Sequence, residues 1–203
     1  PPFISLVFPH IYAFLTFPQL PDIVKTGNSS SPIMTSGGRT TIKYLNKEQT
    51  VHFFSVITDP RDRALFVAIY HYGLRVSEAT LLQLGDVNLE KGRIFIRRLK
   101  NGLSGEKPLF SNTSRLLQIY FEVRLKTNSA LFTGRQGNLK RQRIQQLFKH
   151  YAHKAGFDSQ FTVHSLRHSI ATHLLEADQG IEFVQDHLGH VNIQNTLIYA
   201  KIT

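Results

Sequence analysis

The sequence predicts a mainly α domain with a small antiparallel β-sheet, an α+β arrangement, on three observations. After Arg39 most of the chain falls into apolar runs of helical period, bounded by capping residues, glycine or proline. One run, "RIFIRRL", alternates like a strand, and the turn-rich "NGLSG" after it leads into "EKPLF", the second arm of a small hairpin. At 203 residues the chain can bury one good core and carry a small appendage, so one main domain is expected.

Residues 1–44 differ in texture from the rest of the chain. Pro1, Pro2, Pro9, Pro18 and Pro21 punctuate an uncharged apolar run, and the Ser/Gly-rich "TGNSSSPIMTSGGRT" comes next, so this part is expected to be irregular. Pro9 and Pro18 break the run short of the roughly 20 apolar residues that a membrane span needs, and no membrane partner is expected. Beginning on proline rather than methionine, the sequence reads as a fragment or a processed product.

The folded domain is expected over 45–203. In "NKEQTVHFFSVI" Asn46 can cap a first helix over 47–57. Pro60 opens a second, "RDRALFVAIYHYG", which Gly73 stops, leaving Arg75 just past the stop. Ser77 heads "SEATLLQL", read as a short amphipathic helix, and Asp86 and Gly92 mark turns before the strand. Lys100 falls at the tip of the hairpin. Helices are expected near 113–126, 138–155, 165–177, 181–188 and 193–200, and no internal repeat is visible.

Charge is lopsided. The net +10 is concentrated between Lys91 and Lys154, a stretch carrying +13 while the remainder sums to −3. Such a block suits a polyanionic partner. "NLKRQRIQQLFKHYAHK" sets Lys140, Arg141, Arg143, Lys149 and Lys154 on or beside one helix, and Arg97 and Arg98 end the strand; Arg97, Arg98, Lys140, Arg141 and Arg143 are the candidate DNA contacts. The absence of cysteine excludes a disulfide framework, a thiolate zinc site and a cysteine nucleophile, and it fits a reducing compartment.

Six side chains have the chemistry to cleave a phosphodiester without a metal or cofactor: Arg75, Lys100, His164, Arg167, His190 and Tyr199. A phosphorus under attack becomes five-coordinate with charge on its non-bridging oxygens, and guanidinium is well shaped to hold that charge. Arg75 and Arg167 are the candidate clamps. In "HSLRH" the spacing of three puts His164 and Arg167 on one face of a helix start. A phenol of pKa near 10 needs a base and the leaving 5′ oxygen needs an acid, for which His164 and Lys100 are the candidates. The nine residues from His190 to Tyr199 would leave them on opposite faces of one continuous helix, so "GHVNIQNT" must turn, with Gly189 ending one helix and Asn192 capping the next.

"GLRVSEATLLQLGDV", "HSLRHSIATHLLE" and "HLGHVNIQNTLIYAKI" resemble, in order, the first-arginine, His-x-x-Arg and His-and-tyrosine boxes of the tyrosine recombinases, the phage-integrase family that includes the Xer type. "RIFIRRLKNGLSGEKPL" is similar to that family's lysine hairpin, and the likeness covers residues 45–203. It implies the DNA breaking-rejoining catalytic fold and site-specific recombination of double-stranded DNA as dimers or tetramers, in the cytoplasm, on the nucleoid if the source is prokaryotic. By the same resemblance Arg75 and Arg167 would bind the scissile phosphate, His164 would assist proton transfer, Lys100 would protonate the leaving 5′ hydroxyl, and His190 would hydrogen-bond the phosphate. Tyr199 would form the 3′-phosphotyrosyl link, and Glu78 would orient the first-arginine region.

Two features depart from the family pattern. Residues 1–44 do not resemble the amino-terminal DNA-clamping domain that members usually carry, and the sequence stops four residues after Tyr199, where many members continue into a docking helix. The alternatives are a DNA-binding remnant of weak activity and a type IB topoisomerase. A metal site at the helically spaced pairs His164/His168 or His187/His190 lacks a completing ligand. His71, His168 and His173 are read as packing or surface residues.

Overall fold

The computed structural model describes residues 42–200 apart from 100, 127, 135 and 136. The expectations for residues 1–41 and for Lys100 therefore lie outside the described residues. Helix α1, Lys47–Ser55, begins with a reciprocal cap: the Asn46 side chain accepts from the Gln49 N–H at 2.8 Å and the Gln49 side chain from the Asn46 N–H at 3.0 Å. Helix α2, Pro60–His71, starts on the Asp59 cap with proline in its first turn.

Every residue of α2 from Ala64 to His71 is buried, so it is the central helix of the fold. Phe66 on α2 meets Phe53 of α1 at 5.7 Å between ring centroids, and Phe148 closes the cluster 4.9 Å from Phe53. The helix ends at Gly73, whose φ of +54° suits glycine; a Cβ there would stand 2.5 Å from Leu188 Cδ2.

The helix expected from Ser77 is only one turn, α3, Val76–Ala79. Its continuation is drawn elsewhere: the Leu84 N–H donates to Ser129 O and the Leu131 N–H to Leu82 O, each at 2.8 Å, around an antiparallel bridge between Gln83 and Ala130. Long-range backbone pairing overrides the local amphipathic pattern.

The expected hairpin forms. Strands β2, Arg93–Ile96, and β3, Gly105–Pro108, pair antiparallel with Ile94 opposite Lys107, and β1, Val87–Asn88, adds a short edge. Helix α4 spans Ser111–Val123 rather than reaching 126. Arg124 turns extended, and its buried guanidinium donates to the carbonyls of Leu125, Asn128, Ala130 and Leu131, trading helix for a tied loop. A second two-stranded ribbon, β4 (Thr133–Gly134) with β5 (Gly137–Asn138), leads into α5, Arg141–Lys154.

Helix α6, Val163–Glu176, packs on α2 and is buried along most of its length. Helix α7, Ile181–Leu188, ends at Gly189 with φ +66°, and α8, Gln194–Leu197, is a single turn in place of the expected 193–200 helix. Ile193, not the expected Asn192, is the capping residue; Asn192 lies one position earlier, and its side chain accepts from the Gln194 N–H at 2.9 Å. Among the described residues no helix is long and apolar enough to cross a membrane.

Candidate active site

The site is organised around a buried carboxylate. Glu78, in α3, accepts from the Arg75 N–H at 2.9 Å, from Arg75 Nη1 at 2.7 Å, from Arg98 Nη1 at 3.0 Å and from the Leu99 N–H at 3.2 Å. Arg167 Nη1 stands 3.8 Å from the same carboxylate. Burial alone would raise this carboxyl's pKa; the bond from the Arg75 backbone and the Arg98 charge outweigh it and hold the group below the usual carboxylate range.

The three guanidiniums around Glu78 are not equivalent. Arg75 keeps 26 % of its side chain exposed, whereas Arg98 and Arg167 keep 1 % each. Arg98 therefore departs from its expected place as a DNA contact. Its Nη2 donates to Tyr72 O at 2.8 Å and to His187 O at 2.6 Å, so it pins the hairpin to the end of α2 and to α7 from inside the protein. Nothing in "IRRL" separates the two arginines; the alternation of the strand, which puts Arg97 on the solvent side, is the signal that distinguishes them. Arg97, half exposed, pairs with Asp86 and lies over the Phe95 ring at 5.4 Å.

Helix α6 supplies the next layer. His164, Arg167 and His168 occupy positions i, i+3 and i+4, hence one face, and the two imidazoles meet edge to face with centroids 4.5 Å apart. Arg167 donates through Nη1 to Gly73 O and through Nη2 to Leu188 O at 2.9 Å and His190 Nε2 at 2.8 Å. Guanidinium cannot accept, so His190 receives that bond at Nε2, carries its proton on Nδ1 and donates it to Thr196 Oγ1 at 2.9 Å. In this arrangement both nitrogens of His190 serve to hold Arg167 and α8, rather than facing out toward a phosphate.

Tyr199 lies just past α8, 2 % exposed, with its hydroxyl 2.8 Å from His168 Nδ1. Burial pushes its phenol pKa up, and the charges of Arg167 and Arg75 pull against that rise. Burial, followed by the Arg167 and Arg75 charges, lowers His164, and the same order of causes brings His190 to about 4, so both are neutral imidazoles at physiological pH. His168 was legible only as a histidine of no assigned role. Its spacing of four from His164 and its place next to Arg167 are the signals that put it in the site. Among the described residues no group of three or more His, Asp or Glu side chains is placed to hold a metal ion.

Arg75, His164, Arg167, His190 and Tyr199 are thus brought into one neighbourhood, while Lys100 lies outside the described residues. Arg75 and His164 also line a cleft of about 900 Å³ whose opposite wall is α5, with Arg141 and Lys149 on it. Lys140, which caps α5, and Arg141, Arg143, Lys149 and Lys154 are all exposed. Part of the basic block, Arg141 and Lys149, therefore shares one opening with Arg75 and His164.

Residues 43–203 match the model of the phage integrase family. The chain is 34 % identical over 165 residues to the tyrosine recombinase XerA of Pyrococcus horikoshii, covering 79 % of this chain and 57 % of that protein. A crystal structure of XerA recombinase superposes with a TM-score of 0.72 at 26 % identity, over 84 % of this chain and 63 % of the other. XerH site-specific recombinase bound to palindromic difH substrate in a post-cleavage complex superposes with a TM-score of 0.71 at 25 % identity, over 84 % and 52 %. The chain spans little more than half the length of the XerA it matches in sequence. With its sequence match running from the first helix through Tyr199, and with the helix-rich fold and small antiparallel sheets shared with solved recombinases, this chain belongs to the phage integrase family.

Proposed function

We propose that this chain is the catalytic domain of a site-specific DNA recombinase or integrase, which cleaves and rejoins double-stranded DNA through a 3′-phosphotyrosyl link at Tyr199. The observation that carries this reading is the convergence of a phenol and two guanidiniums at the edge of a basic cleft: Arg75 opens onto the cleft, Arg167 sits behind it, and Tyr199 is joined to the same helix face through His168.

The geometry divides the work of the clamp. Arg75 keeps exposed donors that can grip a non-bridging oxygen, whereas Arg167, with its terminal nitrogens committed to backbone carbonyls and His190, supplies a fixed positive charge from beneath. Such a preset field stabilises the pentavalent phosphorane with little reorganisation, and the phosphotyrosyl bond keeps the energy of the broken linkage for resealing. His164, neutral and exposed at the cleft, is placed to exchange a proton there. Lys100 remains the candidate acid for the 5′ oxygen from its place in the sequence. Arg97, Lys140, Arg141 and Arg143 are proposed to meet the DNA backbone, and the reaction to need no cofactor.

Assembly on DNA as a homodimer or homotetramer is proposed from the family likeness alone. The protein would then work where the chromosome is, in the cytoplasm and on the nucleoid if its source is prokaryotic. The test starts by selecting duplexes from a random-sequence pool by retention on the protein, then nicking the selected duplex so that cleavage is trapped. A protein–DNA adduct that survives denaturation and disappears in Tyr199→Phe is the expected result. Retention of DNA without any adduct would instead make the chain a binding remnant, and relaxation of supercoiled plasmid without recombinant product would make it a topoisomerase.

A further inference from the structure

The proton of the nucleophile has a receiver in the fold that the sequence alone did not assign. The hydroxyl of Tyr199 is 2.8 Å from Nδ1 of His168, and His168 is one turn further along α6 than His164, the histidine that sequence reasoning put forward as the base. We propose that His168 is a further catalytic residue, the general base that takes the Tyr199 phenol proton as the nucleophile attacks phosphorus. This rests on the recombinase reading and deepens it.

Three observations carry the assignment. First, the contact is to the reacting atom itself, at a length suited to proton transfer. Second, the imidazole is held in place: its ring packs edge to face on His164 at 4.5 Å and lies 5.6 Å from the Tyr199 ring, while its backbone is fixed in a buried helix that also carries Arg167. Third, its surroundings keep it unprotonated. Burial first, then the charges of His164 and Arg167, bring it down to about 4, so a lone pair is available at neutral pH. The groups facing it are His164 and Arg167 of its own helix and Tyr199 from beyond α8.

On cleavage, the Tyr199 hydroxyl loses its proton to His168 Nδ1 as its oxygen bonds to phosphorus and the bond from phosphorus to the 5′ oxygen breaks. The departing 5′ oxygen takes a proton from a separate acid, for which the ammonium of Lys100 is the candidate. On resealing, the attacking 5′ hydroxyl gives its proton to that group, and His168 returns its own to the phenol. The Arg167 charge, which opposes a proton on His168, is offset during transfer by the negative charge developing on the phosphate oxygens beside it.

The test uses the whole chain and two versions of the selected nicked duplex, one with oxygen and one with sulfur at the scissile 5′ position. A thiolate leaves without an acid, so sulfur rescues the loss of an acid but not the loss of the phenol's base. His168→Asn keeps an acceptor near the Nδ1 position but cannot hold the proton; adduct formation is expected to fall about 100-fold or more on both substrates, with DNA retention and melting temperature near wild type. His168→Asn within about threefold of wild type would overturn the proposal and leave His168 a brace, as would a full rescue by sulfur. A second readout needs no activity: in protein labelled with 15N-histidine, the resonance lost in His168→Gln is expected to show an unprotonated Nδ1 and a protonated Nε2, and the reverse tautomer would overturn the assignment. Absence of any adduct from the wild-type chain would remove the recombinase reading and this proposal together, an outcome distinct from loss of the base alone.

Discussion

Glu78 shows how one side chain decides whether the site exists. Its carboxylate neutralises the cations that burial would otherwise leave uncompensated, and it does so for Arg75 at the cleft and for Arg98 inside the protein at once. Breaking a buried pair from one side typically costs about 3–5 kcal/mol. Arg98→Ala is therefore expected to lower unfolding stability by roughly that amount, measured by urea denaturation, with its effect on DNA binding following the loss of fold. A stable Arg98→Ala protein whose only defect is weaker DNA retention would restore Arg98 to the surface role read from the sequence. Gly73 is constrained in a different way. With φ at +54° and Leu188 2.5 Å from any added Cβ, Gly73→Ala combines strain with overpacking, for an expected loss of about 1–3 kcal/mol by the same measurement.

At the scale of elements, α5 is the part whose role is testable by salt alone. Two of its exposed cations, Arg141 and Lys149, line the cleft opposite Arg75, and each phosphate they neutralise releases counterions. Lys149→Ala should weaken retention of all duplexes to a similar degree and reduce the slope of log affinity against log salt by about 1. An unchanged slope would take Lys149 off the DNA. The elements also show where local pattern suffices and where it does not. The caps at Asn46 and Asp59, the glycine stop at Gly73 and the 93–108 hairpin were legible because each is settled by neighbours in sequence. The shortened α3 was not, because its fate depends on pairing with residues 129–131, nor was the end of α4, where Arg124 reaches forward to four carbonyls. Of the candidate site, the residue types and their order were readable, and the alternation of Ile94 and Ile96 carried the difference between Arg97 and Arg98, but the contact of His168 with Tyr199 depends on how the chain folds back after α7.

Over the whole molecule, buried histidines make stability depend on acidity. Burial and neighbouring positive charge bring His71 and His187 to about 3, and His168, His173 and His190 to about 4, all below the ordinary histidine value of 6.5. Between those values the unfolded chain binds more protons than the folded one, so the stability they contribute is complete above about pH 6.5 and is lost as pH falls. Each of the two most buried rings should contribute a loss of about 1.4 kcal/mol per pH unit in that interval. The urea midpoint is expected to be level from about pH 8 to 7 and to drop steeply from about 6.5 to 5; a midpoint unchanged down to about pH 5 would mean that these rings are solvated in the folded protein.

The same fold buries the Tyr199 phenol within reach of the charges of Arg167 and Arg75, and of these three side chains Arg75 lines the basic cleft. The most direct test is mass spectrometry of the trapped adduct after nuclease and protease digestion. The expected result is a single modified peptide carrying a 3′-linked nucleotide phosphate on Tyr199; a nucleotide attached to any other side chain, or bound DNA that never becomes covalent, would contradict it.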